Sequence, residues 1–387
     1  MDNKIKLVIV GLGNCASSLV QGLDYYKDSR NSEQRVPGLM HNVIGEYGID
    51  SIEVVGAYDV NTDKIGKAVK DAIWVEPNCT KKFSDSTCET IVRQGPILDG
   101  LSPRMLQRFG HAEPEFEYHV MRNPNVTIET LLETNPTLNA RFDEIVEEVK
   151  AMGAEVLISY MPVGSALATR FWAHVCLEAK IAFVNAIPEF VCSTPEYANK
   201  FQAAGIPCAG DDIKSQVGAT IVHRVLAALV DDRGQTIDDT FQLNVGGNTD
   251  FENMIDEERL TSKRISKTEA VTSQSDQKFS TKIGPSDYVA HLKDNKVCYI
   301  NLRGRQFGDI PFDIDLKLSV EDSPNSAGCM IDVIRLLKLA RDRGDAGYQE
   351  FSSYFFKHPM YQHRDNECRD IVNMFIDGIY VGTVGKK

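Results

Sequence analysis

The chain alternates between two hydrophobic periods. Lys4 to Val10 is a short β-branched run that stops at Gly11, as a buried strand does. Ala16 to Tyr25 then shows helical spacing. Ser51 to Val60 predicts a second strand ending in an acid, and Asn61 to Val69 the helix after it. The same alternation returns downstream. Helices are expected over Phe142–Met152, Ala166–Ala179 and Pro195–Ala204, with strands over Glu155–Tyr160, Ile181–Ala186 and from Ile206 to Ala209. Strands that alternate with helices predict a parallel, doubly wound α/β sheet. Two stretches interrupt it. Residues 27–50 are polar and contain Pro37 and Gly38, which suggests an inserted loop or lid. Residues 76–141 carry six prolines and read as excursions from the sheet.

After Val217 the period changes. Val217 to Val230 is helical, but Thr240–Val245, Lys296–Leu302 and Asp313–Val320 read as strands with no helix between them. Met330 to Arg341 is again a long helix, followed by helical stretches near Gly347–Phe356 and Asn366–Phe375. The expected organisation is a Rossmann-type domain over 1–216, a smaller α+β domain over 217–325, and C-terminal helices over 326–387 that return to the first domain.

Among 387 residues, 42% are apolar and 25% charged, enough for a sizeable core. The net charge of −13 argues against nucleic acid or an anionic membrane surface as a partner. It also means that a phosphorylated ligand has to be met by a local basic cluster. The first apolar run is too short for a signal peptide, and no stretch reaches the length of a membrane span. The nine cysteines are scattered, without a CxxC pair, as in a reduced cytoplasmic protein. The eight histidines show no metal-ligand spacing, so the sequence assigns no metal site.

The turn Gly11-Leu12-Gly13-Asn14 follows a strand and opens a helix. Gly11 allows the tight turn, and Gly13 lets backbone approach a pyrophosphate at the helix N-terminus. Ala16 stands where the third glycine of GxGxxG would be, and Cys15 is expected to be a packing residue. Asp59, at the end of the second strand, can bind the ribose 2′-hydroxyl and favours NAD over NADP. It lies 46 residues beyond Gly13, against about 20 in a compact unit; the 27–50 insertion accounts for the excess. Ser159 and Pro162 lie in a further turn, after the strand at 155–160. It reads equally as a cofactor edge or as a plain strand-to-helix connection.

Four later segments stand out: GDDIKSQVG at 210–218, NVGGNTDF at 244–251, SKRISK at 262–267 and DSPNSAG at 322–328. Lys263 and Lys267 are four apart and share a face if helical. In isolation such a pair reads as a solvated patch. With GLGN, and in this order, the segments resemble the myo-inositol-1-phosphate synthase family in its shorter prokaryotic form, from Gly11 to about Gly344.

The resemblance implies an NAD-dependent isomerisation of glucose 6-phosphate to an inositol phosphate. The steps would be oxidation at C5, enolisation, aldol closure of C6 onto C1, and re-reduction. It implies Lys214, Lys263 and Lys267 as catalytic and substrate-binding cations, with Asp212 orienting Lys214 or contacting the nicotinamide. Asp309 and Lys338 are further catalytic candidates. Asn248 and Asp250 are expected at substrate hydroxyls. Ser323 and Asn325 are expected at cofactor and phosphate, or else as caps of a tight turn. The family also implies a homotetramer built through the second domain and a response to a divalent or ammonium cation. Alternatives are a sugar-phosphate dehydrogenase that releases NADH and a non-catalytic NAD-binding regulator.

Overall fold

A computed structural model describes residues 3–102, 105–106, 114, 116–121, 123, 125–255 and 261–379. The first strand, β1 (Ile5–Val10), is buried almost throughout and leads through the glycine turn into α1 (Asn14–Tyr25). Then come β2 (Ile52–Asp59), β3 (Val92–Gln94), α2 (Pro136–Ala151), β4 (Val156–Ser159), α3 (Ala166–Ala179), β5 (Ala182–Asn185), α4 (Pro195–Ala204) and β6 (Pro207–Ala209). With the late strand β11 (Gly347–Tyr348) these strands form a seven-stranded parallel sheet, ordered β11-β6-β5-β4-β1-β2-β3. The doubly wound α/β class is therefore as expected.

The second sheet is ordered β10-β9-β7-β8, from β7 (Thr236–Gly246), β8 (Ser280–Tyr288), β9 (Asn295–Gln306) and β10 (Ile310–Glu321). β9 is antiparallel to both neighbours, and β8 is parallel to β7. α5 (Ala219–Asp232) packs Ala219, Ala227 and Val230 on one face of this sheet, over Cys298, Ile300 and Leu302. α6 (Thr261–Thr272) lies beside it. α7 (Asp322–Asp342) crosses back and buries Met330, Ile331, Val333 and Ile334 with Leu19 and Val20 of α1. α8 (Asp365–Ile376) closes the described chain. Among the described residues no helix is long and apolar enough to cross a membrane.

Several elements differ from expectation. Residues 61–67 form turns, with only the short helix Val69–Ala72 after them. α2 begins at Pro136 rather than Phe142, because Asn135 caps it by accepting from Leu138 N at 2.9 Å and proline suits the first helical position. Gly347–Phe356 is a two-residue strand followed by a single helical turn, Ser352–Phe355. β8 contains Gly284 and Pro285, which hide its strand signal, and it lies at a sheet edge where proline is tolerated. The 27–50 insertion lines no part of the cleft described below. Buried Arg335 of α7 fastens it by donating to the carbonyls of His41 at 2.9 Å and Asn42 at 3.1 Å.

Candidate active site

One cleft runs along the C-terminal ends of β1, β2, β4 and β5, the edge where open parallel sheets bind ligands. The glycine turn forms one end. Gly11 has φ +83°, and a Cβ there would sit 3.0 Å from Tyr160 O, so glycine is required twice over. A Cβ on Gly13 would meet nothing within 4 Å, which leaves open space before the α1 N-terminus. Asp59 locks the turn. Its Oδ2 accepts from Leu12 N at 2.7 Å, and Oδ1 from Val60 N at 2.7 Å and Asn61 N at 2.9 Å. Buried Lys64 donates to Leu12 O at 2.8 Å and lies 3.8 Å from Asp59.

Asn14 lines the cleft, but its amide oxygen is committed to Cys79 N and Thr80 N at 2.7 and 3.1 Å. Cys15 borders the cleft beside Ser323, and burial pushes its thiol up to about 12, so it is an unreactive packing group. Pro162 and Ser323 line the cleft. Ala16 and Ser159 are buried behind it, where one packs in the core and the other ends β4.

The opposite end is cationic. α6 supplies Lys263 and Lys267, the start of β9 supplies Lys296, and the segment before α8 supplies Lys357. Three carboxylates face them. Lys263 pairs with Asp250; Lys296 with Asp322 at 3.1 Å; Lys357 with Asp212 at 2.8 Å. Asp212, at φ +64°, also accepts from the Ser266 hydroxyl. Burial pushes the Asp212 carboxyl up, but Lys357 and Lys263 outweigh it and hold it below the usual range. Asp250 behaves likewise: Lys263, Lys296 and Lys267 overcome its burial. Lys267 is buried and has no ion-pair partner among the described residues. Burial first, then Lys263, Lys296 and Lys357, hold its pKa well below that of an ordinary lysine. Asn248 caps the short helix Thr249–Asn253 and binds Asp294 at 3.0 Å while facing the cleft.

Four expected residues fall elsewhere. Lys214 is buried with Nζ donating to Ser353 O at 2.6 Å and does not line the cleft. Ile213 and Ser215 face the cleft, whereas Lys214 N donates to Phe355 O at 2.8 Å and its side chain turns to the Ser352–Phe355 turn. Asp309 sits at the β9–β10 hairpin tip, paired with Arg305 at 3.0 Å, at the opposite end of β9 from Lys296. Lys338 pairs with Glu155 and Asp342 at 3.1 and 2.5 Å, away from the cleft on α7. Asn325 clasps the connection between the sheets: its amide accepts from Val217 N at 2.9 Å and donates to Val217 O at 2.6 Å.

Besides Lys64 at the glycine turn, two lysines of the cationic end escaped the sequence reading. Lys296 had a legible signal, since it shares the buried face of β9 with Cys298, Ile300 and Leu302 by period two. Lys357 had none; it comes 90 residues after Lys267, and only folding brings it in.

Residues 218–323 match the family model described as myo-inositol-1-phosphate synthase. The chain is 46% identical over 382 residues to an inositol-3-phosphate synthase of Mycobacterium tuberculosis, covering 97% of each chain. It is 44% identical to that of Corynebacterium glutamicum, covering 96% of this chain and 98% of the relative. A myo-inositol-1-phosphate synthase-related protein from Thermotoga maritima shares the fold, with a TM-score of 0.76 at 21% identity over 97% of this chain and 98% of that one.

Proposed function

The chain belongs to the myo-inositol-1-phosphate synthase family and is an isomerase of inositol biosynthesis, and we propose that it converts glucose 6-phosphate to inositol phosphate in the cleft between its two sheets, with NAD as a recycled cofactor. The observation that carries this reading is the lysine cluster across one cleft from a dinucleotide turn.

The residues fit NAD. The turn at Gly11–Gly13 leaves room for a pyrophosphate at the α1 N-terminus. Asp59 accepts three backbone amides and keeps acceptor capacity for a ribose hydroxyl. Bound there, NAD would accept a hydride from C5 of the sugar and return it after ring closure.

The chain's own groups supply the rest. Lys263, Lys296 and Lys357 hold the phosphate dianion and the negative charge that develops on the sugar oxygens during enolisation and aldol closure. Lys267, whose burial among other cations lowers its basicity, is the lysine placed to carry a proton during the reaction. Asp250 lines the cleft and can accept from a sugar hydroxyl, while Asn248 caps Thr249–Asn253 at the cleft wall. Among the described residues no group of three His, Cys, Asp or Glu side chains could hold a metal ion; a divalent or ammonium cation would be shared with bound phosphate.

Exposed Phe241 and Leu243 of β7 and Tyr299 of β9 share the sheet face opposite α5, which supports self-association into a homotetramer. All nine cysteines are free, in keeping with a reducing cytoplasm.

The test is to incubate the protein with glucose 6-phosphate and NAD⁺, with and without Mg²⁺, Zn²⁺ or NH₄⁺, and assay inositol phosphate while following NADH absorbance. The expected result is cyclic product without net NADH. Net NADH without cyclic product would establish a dehydrogenase instead.

A further inference from the structure

The lysine cluster is assembled from segments far apart in sequence. Lys263 and Lys267 come from α6, and Lys357 from the stretch that leads into α8. Wholly buried Arg224 of α5 lies between the two, outside the cleft lining. Its guanidinium uses all five donors. Nε and Nη2 donate to Asp365 Oδ1 at 3.0 and 2.8 Å, and Nη2 also donates to His363 O at 3.0 Å. Nη1 donates to Ala270 O and to Ser273 Oγ, the latter at 3.2 Å.

These partners are the two halves of the cluster's support. Ala270 is three residues beyond Lys267 on α6, and His363 is six beyond Lys357. Buried Gln274 spans the same junction, donating to His363 O at 3.2 Å and accepting from Asp365 N at 3.3 Å. Glu269 of α6 pairs with His358, the neighbour of Lys357, at 2.8 Å.

We propose that Arg224 is a positioning residue for the reaction: its guanidinium sets the spacing between Lys263 and Lys267 on one side and Lys357 on the other. A planar fork holds two carbonyls, a hydroxyl and a carboxylate in fixed directions; an ammonium has three donors and no plane. Burying the charge is costly unless each donor is used, and here each is spent on linking α6 to the C-terminal segment. The inference rests on the reading of the cleft as a sugar-phosphate site. Charges placed about 1 Å wrong would cost on the order of 10²-fold in rate.

Arg224→Lys and Arg224→Met, made in the full chain, test it. NAD-competent protomers are counted by cofactor titration, and kcat, KM and the Kd for inorganic phosphate are expressed per competent protomer. The expected result for Arg224→Met is a kcat lowered at least about tenfold and phosphate affinity lowered several-fold, with NAD affinity within about twofold. Arg224→Lys should fall between Met and wild type. A lower Tm with unchanged kcat and phosphate affinity per competent protomer would overturn the proposal, because Arg224 would then only hold the fold. Should Arg224→Met fail to fold, Asp365→Asn, which weakens the guanidinium's anchor, carries the same comparison. If wild type makes no inositol phosphate, the proposed reaction fails, while phosphate affinity still decides: a loss in the variants supports the positioning role, and no change removes it.

Discussion

Lys267 differs from the other four lysines lining the cleft in lacking a carboxylate at ion-pair distance among the described residues. On the proposed mechanism, replacing it by Met removes a proton carrier, so turnover should fall at least about 10²-fold while NAD affinity stays within about twofold. Lys263→Met and Lys357→Met should show losses of similar size. Lys338→Ala and Asp309→Ala should stay within about twofold of wild type, since both residues are paired away from the cleft. Steady-state assays with cofactor titration check all five, and near-wild-type turnover in Lys267→Met would remove it from the chemistry. Lys214 makes a different prediction. Burial and then Arg224 lower its pKa from 10.5 to about 8. Between pH 8 and 10.5 the unfolded chain therefore binds more protons at this site than the folded one, and its contribution to stability rises with pH. Below pH 8 the full penalty of charging a buried amine applies. The stability of Lys214→Met relative to wild type should accordingly be most favourable below pH 8 and decline toward pH 10.5, as read from denaturant midpoints. A difference that does not change with pH would contradict the buried, depressed lysine.

At the scale of elements, the connection from β6 to α5 decides how the two sheets face each other. Gln216 N donates to Asn325 O at 2.9 Å, and the Asn325 amide closes both hydrogen bonds to Val217. This ties the linker to the first turn of α7, whose N-terminal residues Asp322 and Ser323 line the cleft. Asn325→Ala removes two hydrogen bonds to a solvent-exposed backbone, each worth about 0.5–1.5 kcal/mol at most because water can take their place. A lowered denaturant midpoint is expected, with a raised KM as the cleft walls lose their registration; an unchanged midpoint would show that the clasp does not hold. The same scale explains what pattern reading could and could not see. The buried strands β1 and β4 announce themselves through continuous apolar runs. Asn61–Val69 has an apolar spacing that suits a helix, yet the Asp59 and Asn61 side chains bond the following amides and hold turns instead. β11, two residues long, exists only because β6 offers it an edge.

Across the whole molecule, the second sheet shields one face with α5 and leaves Phe241, Leu243 and Tyr299 exposed on the other. If that face joins subunits, Leu243→Glu should lower the mass measured by light scattering while NAD binding persists, because the glycine turn proposed to hold NAD is on the first sheet. An unchanged mass would place the contact elsewhere. Two periodicities in the chain, 3.6 and 2, determined by themselves that a doubly wound α/β unit precedes a strand-rich one, because each period reports locally which face is buried. The glycine turn, Asp59, and the Lys263/Lys267 pair were legible for the same reason: their chemistry depends on short spacings. Which cations share a cleft was decided only by tertiary structure. Lys214 and Lys357 are 143 residues apart; one is drawn from the site to the carbonyl of Ser353, and the other enters it beside Asp212. Short-range spacing carries no information about such a meeting, because the packing of α5, α6 and the C-terminal segment determines which side of each backbone faces the cleft.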